Sequence, residues 1–370
     1  MRDHLSYAGQ GVDYALMDPW KRRCQNAAAN TSSGLRANWL REVSWSRGES
    51  AFVLEAGDFY LGHVEEGLGT KNRVADKLRE QMGKSGPSYY DLIAKDSVAA
   101  IVNDLSTLGL APVSVALHIA AGSSDWFADA DRAADFVRGF GSACTEAGAL
   151  WGPGESPTLP EILLPGAVEI SGSAIGMARP KSRLIKPNVK HGDAILAISS
   201  SGIHANGLTF ARRIIEKLPQ GYLTTFEPGT NVGQALLRPT HIYSGLVDRL
   251  IDQGVQLSYA INVTGHGWRK IMRLKQHFHY VIDSLPPIPH IFSFLQELGP
   301  ISDREAYANF NMGAGYILIA PVSQVDRILT ESANIGFPSF HIGHVENSDT
   351  RSVTIGPKQI EFQAEEMSIR

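Results

Sequence analysis

Five glycine-rich stretches, each beside an apolar run, constrain this chain more than any other feature: residues 62–69, 148–154, 202–207, 265–267 and 313–315. Glycine tolerates positive φ and lets the backbone approach a ligand closely. Any one such stretch alone is an ordinary turn. Several of them at the ends of apolar segments predict a site assembled from loops and suited to phosphate-rich ligands.

The segments between the glycines alternate in type. Residues 51–61 read as two short strands around a Gly-Asp turn, and 112–120, 167–178 and 193–199 read as strands because they are apolar and β-branched. Residues 88–108 read as a helix, with Val98, Val102 and Leu105 on one face, and 129–147 as another, lined by Ala133, Phe136, Val137, Phe140 and Cys144. Further helices are expected at 207–218, 241–253 and 290–298, and further strands around 279–283, 315–321 and 339–344. Mixed elements of this kind fit an α/β or an α+β protein. At 370 residues the chain is long enough for about two domains. The polar stretch 179–192, with Pro180 and Pro187, is the best boundary, dividing residues 1–183 from 184–370.

Composition narrows the function. The 34 Lys+Arg against 38 Asp+Glu give a net charge of -4, which argues against a nucleic-acid binder. Cys24 and Cys144 make neither a zinc motif nor a disulfide framework, so reduced thiols in the cytoplasm are expected. The opening residues carry Asp3, His4, Asp13 and Asp18 and have no signal-peptide core, and no apolar run is long enough to cross a bilayer. A soluble cytoplasmic protein with no membrane partner is expected.

Chemistry-bearing residues recur beside the glycines. Glu65-Glu66-Gly67-Leu68-Gly69-Thr70-Lys71 joins carboxylates to a glycine loop and a lysine, although it is no Walker A loop. Magnesium is commonly held by one or two carboxylates together with substrate phosphates. Asp96 and Asn103 lie seven apart on one helix face with Asp104 beside them, in otherwise apolar surroundings. Such a carboxylate is costly to bury without a cation or hydrogen-bond donors, yet a helix cap and a helix end explain the same residues. Glu155 follows a Gly-Pro-Gly turn, where a glutamate is usually solvated. Ser200–Gly207 (SSGIHANG) sits between a strand and a helix, where backbone amides favour anions. Thr264–Gly267 and Asn309–Gly315 share its polar-glycine character. His277 and His279 are read as exposed strand residues rather than metal ligands.

Taken in order, these segments resemble the aminoimidazole ribonucleotide synthetase (phosphoribosylformylglycinamidine cyclo-ligase) family. Tyr7–Asp13 is similar to the family's Tyr-x-x-x-Gly-Val-Asp start, Glu66–Lys71 to DGVGTK, and Asp96–Leu105 to DLVAMCVNDL. Gly154–Pro160 resembles GETAEMP, Ser200–Gly207 SSGPHSNG, Leu237–Tyr243 LAPTRIY, Thr264–Gly267 TGGG, and Phe310–Gly315 FNxGVG. The resemblance implies an α+β protein of two domains, the first (1–183) for nucleotide, magnesium and dimerisation and the second (184–370) synthetase-like. It also implies a homodimer, ATP and Mg2+, and a small ribonucleotide substrate. ATP would phosphorylate the amide oxygen of formylglycinamidine ribonucleotide, and ring closure would release phosphate. Glu66, Asp96 and Asp104 would hold magnesium. Lys71, Asp104 and His204 would be catalytic. Gly67, Gly69, Thr70, Lys71, Asn103, Glu155, Ser201, Asn206 and Asn311 would bind nucleotide or substrate.

The chain departs from the family pattern at defined positions. Glu66 stands for an aspartate, Thr158 for a glutamate, Asn262 for a histidine and His266 for the middle glycine of TGGG, while a strand aspartate falls at Leu117 or His118. Two other readings accommodate these changes. One is a relative that phosphorylates a different small acceptor, such as a thiamine phosphate, selenide or carbamoyl group. The other is a non-catalytic nucleotide-binding protein.

Overall fold

The computed structural model describes residues 14–83 and 86–367, so Tyr7–Asp13 lies outside the described residues. The first half builds a six-stranded sheet from β1 (Leu40–Glu42), β2 (Phe52–Ala56), β3 (Phe59–Gly67), β4 (Ala111–Ala121), β5 (Leu150–Glu155) and β6 (Val168–Ala178), in the order β1-β2-β3-β6-β4-β5. Helices α1 (Tyr14–Ala29), α2 (Asn72–Gln81), α3 (Tyr90–Ser106) and α4 (Ala130–Glu146) accompany it. All pairings are antiparallel except β4 with β5, which α4 joins as a crossover. Asp129 starts α4 by accepting a hydrogen bond from the Arg132 amide, which satisfies one of the helix's unpaired donors.

Strand β6 shows why this sheet has two different faces. Val168, Ile170, Gly172, Ala174, Gly176 and Ala178 point inward, while Glu169, Ser171, Ser173, Ile175 and Met177 point outward. The inner face receives α3, which is buried on nearly every side, as a helix between two layers should be. Gly172 makes that approach possible: a Cβ there would sit 2.2 Å from the Ala116 carbonyl oxygen and 3.0 Å from Ile101.

The chain then passes through residues 179–193 into a seven-stranded sheet. Its strands are β7 (Ala194–Ser199), β10 (Tyr259–Asn262), β11 (Phe278–Ile282), β12 (Ala314–Ala320), β13 (Ser339–Asn347), β14 (Ser352–Ile355) and β15 (Ile360–Gln363). Their order is β10-β12-β7-β13-β11-β14-β15. A small hairpin, β8 (Thr225–Glu227) and β9 (Thr230–Asn231), lies apart. Helices α5 (Leu208–Ile215), α6 (Val232–Leu236), α7 (Ser244–Asp252), α8 (His290–Leu298), α9 (Asp303–Asn309) and α10 (Val325–Asn334) complete the half. Strands β7 and β12 are buried on both faces, hence their unbroken apolar sequences AILAIS and AGYILIA. Residues of one face of this sheet, Ile195, Ala197, Ile317 and Ile319, belong to the same continuous core as Val98, Ile101 and Val102 of α3. The protein is therefore an α+β structure whose two halves share α3.

Candidate active site

The site lies where α3, the end of β3 and the loops of the second half meet. Helix α3 grips the second half with its polar face. Asp96 is fully buried: its Oδ1 accepts from the Thr240 amide at 2.8 Å and the Thr240 hydroxyl at 2.5 Å, and its Oδ2 pairs with Lys71 Nζ at 2.7 Å. Lys71 is equally buried and also donates to the Arg238 carbonyl at 2.8 Å. Two turns on, Asn103 donates to the His241 carbonyl at 2.8 Å and accepts from the Tyr243 amide at 2.7 Å. The segment Arg238–Tyr243 is thus clamped to α3 by side chains that leave it no free backbone groups at these points.

These contacts place three residues expected at ligand among partners inside the protein. Asp96 is placed apart from Glu66 and Asp104, with both oxygens engaged inside the protein. Lys71, expected at phosphate, is fully buried in its ion pair with Asp96. Asn103, expected at nucleotide, bonds backbone instead. The physical reason is common to all three: a buried charge or amide needs partners, and α3 finds them in the second half.

Asp104 faces the other way. It lines a cavity of about 430 Å³ together with Met17, Lys21, Glu66, Gly67, Asn206, Thr264, His266, Lys270 and Arg273. Asn262 Nδ2 donates to Asp104 Oδ1 at 2.8 Å, so the residue found where the family pattern has histidine orients this carboxylate. Glu66 sits beside Asp104. Although the Glu66 side chain reaches solvent through the mouth, the surrounding protein strips most of its hydration. That desolvation first, and the neighbouring Asp104 charge second, raise its carboxyl to about 7 against the pull of Lys270 and Arg273. His266, in the left-handed conformation at φ 70°, forms part of the wall; burial, and then Arg269, Lys21, Lys270 and Arg273, push its ring down to about 2.

The other expected residues divide clearly. Gly67 and Asn206 line the cavity. His204 is buried, and its Nε2 accepts from the Ser201 amide at 3.2 Å, which puts any ring proton on Nδ1. Burial first, then His241 and Lys71, hold it well below the usual histidine range, and it does not line the cavity. Ser201 donates to the Pro239 carbonyl at 2.6 Å. Asn311 is buried scaffold: it donates to the Gly202 carbonyl, accepts from the Gly313 amide, and its own carbonyl takes the Trp268 indole proton. The Asn309–Gly315 run is likewise packing, since a Cβ at Gly315 would meet Tyr243 Oη at 2.0 Å. Gly69 turns the chain into α2 at φ 81°, and Thr70 shares a hydrogen bond with Thr209 at 3.2 Å. Glu155 ends the exposed edge strand β5, away from the cavity. His279 lies at 2.9 Å from the Thr354 hydroxyl and 3.4 Å from Glu346, and no metal-binding trio of His, Cys, Asp or Glu occurs among the described residues.

Lys21, Lys270 and Arg273 were not singled out by sequence reasoning. Lys270 and Arg273 stand three residues apart in the short helical stretch Gly267–Arg273 that follows Thr264–His266. A basic pair just after a polar-glycine loop is the one signal that marks them.

Family models for the two halves of AIR synthase related proteins match this chain, the N-terminal domain over residues 77–178 and the C-terminal domain over residues 190–356. A phosphoribosylformylglycinamidine cyclo-ligase of Methanococcus maripaludis is 31% identical over 303 residues, which are 82% of each chain. This chain belongs to the AIR synthase related family. A second relative of the same name, from Carboxydothermus hydrogenoformans, is 30% identical and extends over 95% of this chain and 99% of its own. Among solved structures, AaThiL complexed with AMPPCP and TMP superposes with a TM-score of 0.57 at 16% identity, covering 85% of this chain and 90% of that one. T. maritima PurL complexed with FGAR gives 0.58 at 13% identity, covering 89% of this chain and 50% of that one. At these identities the two structures show a shared fold. No described helix is long and apolar enough to cross a membrane.

Proposed function

We propose that this protein closes the imidazole ring of formylglycinamidine ribonucleotide, using ATP, to give aminoimidazole ribonucleotide for purine synthesis. The observation that carries the reading is full-length similarity to a protein named phosphoribosylformylglycinamidine cyclo-ligase, 95% of this chain against 99% of that one. ATP as co-substrate is supported by the ATP analogue bound in AaThiL, and a ribonucleotide substrate by the FGAR bound in PurL. The reaction transfers the γ-phosphoryl group of ATP to the substrate amide oxygen. The amidine nitrogen then attacks the activated carbon, the C–O bond to phosphate breaks, and phosphate leaves with the former amide oxygen. Neither step needs a protein nucleophile, and positioning with charge stabilisation is the protein's main contribution.

Glu66 and Asp104 are the residues that fit magnesium. Two adjacent carboxylates, one of them raised first by burial and then by the other's charge, would be relieved by a divalent cation, and a bound nucleotide's phosphates would complete its shell. The cation would spread charge on the transferring phosphoryl group. Asn262 holds Asp104 in place, Asn206 and Gly67 border the ligand, and the basic side chains of the cavity oppose phosphate charge. Lys71, Asp96 and Asn103 hold the two walls of the cavity together. His266 supports a second reading, transfer to a different acceptor, because its ring occupies wall where the family pattern has glycine.

A homodimer in the cytoplasm belongs to the same proposal. Val113, Ile175, Leu150 and Trp151 expose apolar surface on the first sheet and its edge, as a face awaiting a second copy would.

The test is phosphate release by the purified protein with ATP and Mg2+, with and without formylglycinamidine ribonucleotide. Release that depends on the ribonucleotide and yields aminoimidazole ribonucleotide is expected. ATP binding without such release would favour another acceptor.

A further inference from the structure

We propose that Lys270 is the residue of this cavity that binds a ligand's phosphate, a role the sequence pattern gives to Lys71. The inference rests on the cavity being the active site described above. Lys71 is unsuited to the role because its ammonium is fully buried between Asp96 and the Arg238 carbonyl. Among the described residues, three other cations line the cavity. Lys21 lies 3.3 Å from Asp18. The Arg273 guanidinium donates to the Gly48 carbonyl at 3.1 Å and to the Ser50 hydroxyl at 2.6 Å, with Glu49 at 4.0 Å. Lys270 differs from both. It is only 7% exposed, and its Nζ donates to the Thr264 hydroxyl and makes no ion pair with any described carboxylate.

An ammonium has three donors, and a buried one is costly unless an opposite charge meets it. Here one neutral hydroxyl serves it directly, while Asp104 and Glu66 support its charge at longer range. The unfilled demand points into the cavity, toward the two carboxylates that fit magnesium. A phosphate placed there would meet the Lys270 ammonium on one side and the metal on the other. Charge-assisted hydrogen bonds of this sort are the strong ones. The phosphate belongs either to the nucleotide or to the ribonucleotide, and the chemistry of recognition is the same.

Calorimetric titration of the full-length protein with ATP plus Mg2+, with ribose 5-phosphate and with adenosine separates the cases. Lys270→Met is expected to weaken one of the two phosphate ligands by about tenfold or more, with adenosine unchanged, and Lys270→Arg to stay within about threefold of the original protein. Loss confined to ATP assigns the nucleotide phosphate; loss confined to ribose 5-phosphate assigns the ribonucleotide. Unchanged binding of both by Lys270→Met overturns the inference. Acetic anhydride labelling of the unaltered protein, read by mass spectrometry, decides the matter should the variant not fold: the phosphate ligand must protect Lys270, and equal labelling with and without it overturns the proposal. An unaltered protein that binds none of these ligands removes the functional reading itself, whereas ATP binding that ignores Lys270 removes this inference alone.

Discussion

Asp104 and Glu66 show how burial, and after it a neighbouring charge, set a residue's behaviour in this site. Each is an ordinary acid in the sequence, yet side by side in a desolvated cavity they repel, and the Glu66 carboxyl rises to about 7. Asp104→Asn removes one charge and keeps the shape that Asn262 recognises. Magnesium-dependent turnover is expected to fall by about 100-fold or more, since stabilisation of developing charge supplies energies of that order, while the melting temperature changes little. Steady-state kinetics and a thermal melt check this, and retained turnover would remove Asp104 from the site. A second residue-scale outcome concerns His344, far from the cavity. Burial alone would lower its pKa, but hydrogen bonds to Glu346 and Asp283 outweigh that and raise it. A raised histidine contributes stability that is complete below its unfolded value near 6.5 and is lost as pH rises through the folded value. The three groups are largely exposed, so the change in melting temperature over this window is at most about 2 °C. His344→Gln should flatten it in melts recorded between pH 6 and 8.

Helix α3 is the element on which both halves depend. Its apolar residues enter the core, and Asp96 and Asn103 hold the segment Arg238–Tyr243 through buried polar contacts. Breaking a buried ion pair by removing one partner is expensive because the other charge stays behind. Lys71→Met is therefore expected to cost about 3–5 kcal/mol. The double variant Lys71→Met with Asp96→Leu should recover part of that loss in urea unfolding; no recovery would mean that the two side chains do not act as a pair. Asn103→Ala strands the Tyr243 amide and the His241 carbonyl, and a loss of about 2–4 kcal/mol is expected from two unsatisfied groups.

At the scale of the whole molecule, the continuity of the core across α3 has a thermodynamic consequence. Val98 and Ile101 from the first half and Ile195 and Ile317 from the second belong to one apolar cluster. Neither half can lose its structure without exposing surface that the other buries. Calorimetric unfolding is expected as one transition with matching calorimetric and van't Hoff enthalpies. Two resolved transitions would show that the halves unfold independently despite the shared helix.

Much of this organisation is legible in the sequence, and the exceptions have physical causes. Strands such as β6 and β7 and helices α3 and α4 follow from local periodicity, because a face that must be buried imposes its spacing on the residues that form it. Strand β5 escapes that logic: it is exposed along its length and contains Gly152, Pro153 and Gly154, so no apolar pattern marks it. Helix α2 presents Val74, Ala75 and Leu78 amid charged residues, too short a pattern to announce a helix. The cavity loops are visible as motifs, and of the residues these motifs mark, Glu66, Gly67 and Asn206, with Asp104 on α3, line the cavity. Which charged groups face ligand is decided elsewhere. Lys71 and Lys270 are chemically alike and nearly 200 residues apart in the chain. One meets Asp96 across the fold in an ion pair; the other donates to a hydroxyl, with Asp104 and Glu66 at longer range, and lines the cavity. Local order can be read along a chain because neighbours in sequence create it, whereas the partner of a buried charge is fixed by tertiary packing.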